Sequence, residues 1–83
     1  MAKGEIVERV VDYVVKAIVE EPEAVTVTVV DQGPNEVVAE VRTAKADMGR
    51  VIGRRGRVAK AIRAAAGAAA EEEGITADVE FLD

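Results

Sequence analysis

Eighty-three residues suffice for one hydrophobic core and leave no room for a second, so a single domain over residues 1–83 is expected. With 49% hydrophobic and 33% charged residues the chain has a globular profile, and the absence of Cys and His excludes a disulfide framework and the commonest transition-metal sites. A net charge of −5 speaks against a polyanionic ligand only if it is evenly spread. It is not: from Arg42 to Arg63 eight basic residues meet the single acid Asp47, a local net of +7, while the remainder carries −12.

The opening Met1-Ala2-Lys3-Gly4-Glu5 leads into charged helical sequence without an apolar run, so neither a signal peptide nor a membrane span is expected and the cytoplasm is the default location. Between Glu5 and Val19, Ile6, Val7, Val10, Val11, Val14, Val15 and Ile18 recur at three and four, the period of an amphipathic helix. Its many β-branched residues carry a helix-propensity penalty, which predicts that the stripe is stabilised by packing on a sheet. Tyr13 is expected at the edge of that packed face.

Pro22 breaks the pattern, and Val25, Val27 and Val29 then alternate with threonines as a strand over Ala24–Val30. The stretch Asp31-Gln32-Gly33-Pro34-Asn35 has hairpin-loop composition, and Val37, Ala39 and Val41 alternate in a second, antiparallel strand. A short helical stretch follows from Ala46 to Val51, with Asp47 in its first turn, where it would complement the helix dipole. From Arg57, Val58, Ala61, Ile62, Ala65, Ala66 and Ala69 mark one face of a long helix ending near Gly74. Ile75, Ala77, Val79 and Phe81 alternate in a last strand, with Phe81 expected beneath the helices. The order αββααβ predicts an α+β fold.

The two helices meet at Gly53-Arg54-Arg55-Gly56, followed by Arg57 and Lys60. Glycines at both ends allow a tight turn and let a sugar-phosphate backbone approach without meeting a Cβ atom. The following helix N-terminus offers N–H groups and a positive dipole end, to which the arginines add charge. Cations at that end, and Glu71, Glu72 and Glu73 at the other, both oppose the dipole. A bound phosphate would relieve the first conflict; the sequence suggests no relief for the second. A glycine turn with solubilising arginines is the blander explanation for a bare G-x-x-G.

Val51-Ile52 before the loop, basic residues within it, a helix after it and the αββααβ order together resemble the KH domain signature. The resemblance covers essentially the whole chain and is nearest to the small bacterial KH proteins of the KhpA family. It implies a type II KH fold, a three-stranded sheet with helices on one face, whose G-x-x-G loop clamps the backbone of about four nucleotides of single-stranded RNA. Carried over residue by residue, it makes Gly53, Arg54, Arg55 and Gly56 the clamp and Arg57 and Lys60 phosphate neighbours, with Ile52 and Ile62 in the core. Arg50 and Arg42 either extend the strand's path or are simply solvated. The resemblance also implies homodimers, pairing with the larger KH protein KhpB (Jag/EloR), and a post-transcriptional or RNA-chaperone role linked to cell elongation and cell-wall synthesis.

With Tyr13 and Phe81 as the only aromatics, base stacking on aromatic platforms cannot dominate affinity, and an RRM lacks its sheet aromatics. Catalysis is disfavoured by the missing His and Cys and the absence of a pocket-like carboxylate constellation, and no cofactor is expected. Gly49, Gly53 and Gly56 fit neither G-x-G-x-x-G nor the P-loop pattern, both of which require a preceding strand. The alternative that stands is a protein–protein dimerisation module that makes little use of the loop.

Overall fold

The computed structural model describes residues 2–83. Helix α1 (Glu5–Ile18) precedes a hairpin of β1 (Thr26–Gly33) and β2 (Glu36–Arg42), and helices α2 (Met48–Ile52) and α3 (Arg57–Glu72) lead to β3 (Thr76–Leu82). Strand β1 is longer and later than its valines suggested, because pairing with β2 continues past Val30 to a register irregularity between Asp31 and Gly33. Single 3-10 turns at Pro22–Ala24, Lys45–Asp47 and Arg54–Gly56 join the helices to their neighbours.

The sheet has the order β1-β2-β3, with β2 antiparallel to β1 and parallel to β3. The register lines up Val27, Val41 and Phe81 in one row and Val29, Ala39 and Val79 in the next. These inward rows share one core with Val7, Val11 and Val15 of α1 and Ile62, Ala66 and Ala70 of α3. Helix α1 therefore buries its β-branched stripe against the sheet, as its composition requires. The alanines of α3 let it lie close beside α1. Phe81 is only half-buried, at the margin of this core. Among the described residues no helix is long and apolar enough to cross a membrane.

Two acidic residues have roles the linear pattern does not show. Glu73 lies at the unfavourable end of α3, yet its carboxylate accepts hydrogen bonds from the N–H groups of Gly4 (2.7 Å), Ile6 (2.9 Å) and Val7 (3.2 Å). Gly4, the N-cap of α1, has no side chain of its own to do this, so the end of α3 caps the start of α1. Asp47 makes no cap bond to α2; it is buried, and its carboxylate accepts from the N–H groups of Glu20 and Glu21, both at 3.1 Å, where the chain leaves α1. Besides standing at the start of α2, as its place in the sequence indicates, Asp47 thus makes a long-range tie.

The N-terminal segment is fastened to the hairpin by Lys3, whose ammonium lies 2.7 Å from Asp31 and also donates to the Gly33 carbonyl. Its hydrogen bond, with a second from the Gly33 N–H, holds the Asp31 carboxyl below the usual carboxylate range. The stabilisation from this depressed pKa is present above the ordinary carboxylate range and is lost as the pH falls through the folded-state value. Tyr13 is 77% exposed on the outer side of α1, not at the edge of the core, because the buried line of α1 runs through Val7, Val11 and Val15.

Replacing Glu73 by Ala leaves the first N–H groups of α1 without their acceptor and is expected to cost about 1–2 kcal/mol in denaturant melts, whereas Glu72→Ala, on an exposed side chain, should change stability by less than about 0.5 kcal/mol.

Candidate nucleic-acid interface

The α2–α3 junction is built from left-handed backbone. Gly53 (φ 76°), Arg55 (φ 58°) and Gly56 (φ 71°) all have positive φ, and the turn is closed by the Gly56 N–H donating to the Gly53 carbonyl at 3.2 Å. The two glycines are needed for different reasons. A Cβ on Gly53 would lie 2.8 Å from the Cβ and 3.0 Å from the backbone nitrogen of Val58, so its side is closed by the first turn of α3. A Cβ on Gly56 would meet nothing within 4 Å, so that position needs only the conformation and leaves an open approach to the helix end.

Arg55 is the only non-glycine with positive φ among the described residues, and holding an L-residue there costs about 1–2 kcal/mol. No side chain caps α3, and its first turn contains no acid. Arg54, Arg55, Arg57 and Lys60 are all exposed around this end, and among the described residues none of the four forms an ion pair. Four unneutralised cations thus surround a helix terminus that is itself positive, an arrangement suited to an anion and to little else.

Of the other basic residues in the Arg42–Arg63 stretch, Arg42 and Lys45 are exposed, while Arg50 and Arg63 are engaged. Arg50 is half-exposed, pairs with Glu20, and places its Nε 3.4 Å from Asp47. Arg63, outside the set expected from the sequence, donates from Nε to the Val79 carbonyl at 3.3 Å and sits over the Phe81 ring at 5.5 Å from its centroid. Ile62 is in the core as expected, while Ile52 and Val58 are half-buried on either side of the junction. A cavity of about 380 Å³ bordered by Ala2, Lys3, Ile6 and Glu73 and one of about 360 Å³ bordered by Thr43, Lys45, Met48 and Asp83 include none of the four loop residues.

A three-stranded mixed sheet, αββααβ order and a glycine-bounded turn between two helices define a KH domain of the second type. The family described as "KhpA/KhpB, KH domain" matches residues 8–81. A Borreliella burgdorferi protein described as RNA-binding protein KhpA is 36% identical over 73 residues, covering 88% of each chain. A protein of the same description from Caldanaerobacter subterraneus is 39% identical over 95% of this chain and 99% of its own, and one from Leifsonia xyli is 46% identical over 81% and 87%. A crystal structure of Aquifex aeolicus Era bound to GDP and aluminium fluoride superposes with a TM-score of 0.69 at 20% identity, over 92% of this chain and 29% of that one, a likeness of fold. The chain belongs to the KhpA/KhpB family of KH domains.

Because Gly53 is closed by contact and Gly56 is open, Gly53→Ala is expected to destabilise by about 2–4 kcal/mol and Gly56→Ala by about 1–2 kcal/mol in chemical denaturation. Arg55→Gly relieves the left-handed strain at the expense of chain entropy and should raise stability by about 0.5–1 kcal/mol.

Proposed function

We propose that this chain binds single-stranded RNA without catalysing a reaction, gripping the sugar-phosphate backbone at Gly53, Arg54, Arg55 and Gly56, with Arg57 and Lys60 as neighbouring phosphate contacts. The observation that carries this reading is the cluster of four exposed, unpaired cations around the uncapped start of α3. Support comes from the relatives, which are described as RNA-binding proteins over nearly their whole length. The glycine backbone sets how closely the strand can approach, and the arginines supply charge-assisted bonds to phosphate oxygens.

We further place the domain in the cytoplasm, as a homodimer or a partner of a KhpB (Jag/EloR) protein, in post-transcriptional regulation or RNA chaperoning tied to cell elongation and wall synthesis. A second reading, a dimerisation module with little RNA binding of its own, is favoured by the outer face of α3. There Ala61, Ala64 and Ala68 are exposed, and small side chains permit close approach of another helix.

Fluorescence anisotropy of a labelled single-stranded RNA pool separates the two. Wild type should bind in a salt-sensitive manner, and the Arg54→Asp, Arg55→Asp double variant should lose at least about tenfold in affinity. Its melting temperature should be unchanged or slightly raised, since Asp tolerates left-handed backbone better than Arg. Wild type that binds no RNA but sediments as a dimer would favour the interaction module.

A further inference from the structure

Arg50, three residues before Gly53, has its charge already spent. Its guanidinium is gripped on two sides, by Glu20 at Nη2 and by Asp47 at Nε, so one cation is shared between two carboxylates and the cluster has a net charge of −1. A phosphate arriving there meets an excess of negative charge, the opposite of what it meets at Arg54, Arg55, Arg57 and Lys60.

The three residues form a closed unit. Asp47 is 2% exposed and the only buried charged residue among those described, and it accepts the backbone N–H groups of Glu20 and Glu21 as well as facing Arg50. Glu20 is therefore held through its backbone by Asp47 while its carboxylate binds Arg50. Asp47 and Arg50 lie at the start and in the middle of α2, a helix of only five residues that ends at Gly53. At about 1.5 Å per residue such a helix is about 7.5 Å long, so fixing its first turn fixes where its last residue delivers the loop. The far end of α3 is already tied to α1 through Glu73, which leaves the setting of α2 as the main freedom of the junction.

We propose that Arg50 is a positioning residue and not an RNA contact: locked between Glu20 and Asp47, it fixes α2 against the exit of α1 and thereby sets the geometry of the loop at Gly53. This rests on the reading of the loop as the RNA clamp, and it predicts an effect opposite in sign to simple electrostatics. Glu20 is exposed and negative, so neutralising it should strengthen the binding of a polyanion if charge alone mattered, and still more if it released Arg50 to reach a phosphate. If Arg50 positions α2, neutralising Glu20 weakens binding.

The test is RNA anisotropy at two salt concentrations on wild type, Glu20→Gln, Arg50→Gln and the double variant, with melting curves for each and the Arg54→Asp, Arg55→Asp variant as reference. Each single variant should lose about three- to tenfold in affinity, with the double variant no weaker than the weaker single one. The dependence of affinity on salt should match that of wild type, since no phosphate contact has been removed. Tighter or unchanged binding by Glu20→Gln overturns the proposal. So does a salt dependence reduced by about one phosphate contact in Arg50→Gln, or variants that melt earlier but bind as wild type. Failure of wild type itself to bind sinks the clamp and the positioning role together; wild-type RNA binding with Glu20 and Arg50 variants that bind as tightly as wild type sinks only the latter.

Discussion

Helix α1 is held at both ends by carboxylates that belong to the helical pair carrying the loop. Glu73, at the end of α3, accepts three N–H groups at the start of α1, and Asp47, at the start of α2, accepts two just past its end. An amphipathic helix on a sheet is otherwise free to slide or roll by small amounts, because hydrophobic burial is not directional. Charge-assisted bonds to backbone donors are directional, and they set the position of α1 against the α2–α3 unit. That unit is in turn pinned near its two extremities, so its middle, residues 53–56, is displayed from a fixed base.

What the base supports is locally unfavourable. The junction holds an arginine in left-handed backbone, leaves the start of α3 without a side-chain cap, and gathers cations at the positive pole of the helix. Each is a small cost of its own kind, conformational, hydrogen-bonding and electrostatic. A core shared by all three helices and strands offsets them. An anion on the open side of Gly56 would remove the last two costs together, so a loop that is poor for the stability of the free domain would favour a bound anion.

Element order, the hairpin, the two glycines and the basic stretch were legible in the sequence because each depends on neighbours in the chain: periods of two and of three to four, turn residues, local charge. The carboxylate ties were not. Asp47 reaches donors 26 and 27 residues away and Glu73 donors 66 to 69 away, so local reading could treat them only as dipole partners of their own helices, one favourable and one not. Tyr13 was misplaced for a related reason: in a stripe as broad as Ile6 to Ile18 the period does not say which flank faces outward until the partner surface is known. Arg55 shows the same limit at the loop, since G-x-x-G marks two residues that can adopt positive φ but not that the residue between them does so as well.

The acidic remainder of the chain also acts on the loop. In the sheet register Glu40 lies directly beside Glu80, so that like charges sit on neighbouring strands, a mildly destabilising arrangement. A polyanion approaching these carboxylates is repelled, while within a Debye length of about 8 Å of the junction it is attracted. A net negative domain with one basic edge therefore has less tendency than a uniformly basic one to coat itself with nucleic acid. On the proposed reading its affinity for RNA comes from the few contacts the loop makes, and those contacts depend on how well the loop is held. If the loop is the clamp proposed above, the ties at Glu73 and Asp47, which lie outside it, contribute to binding strength through the position they give it.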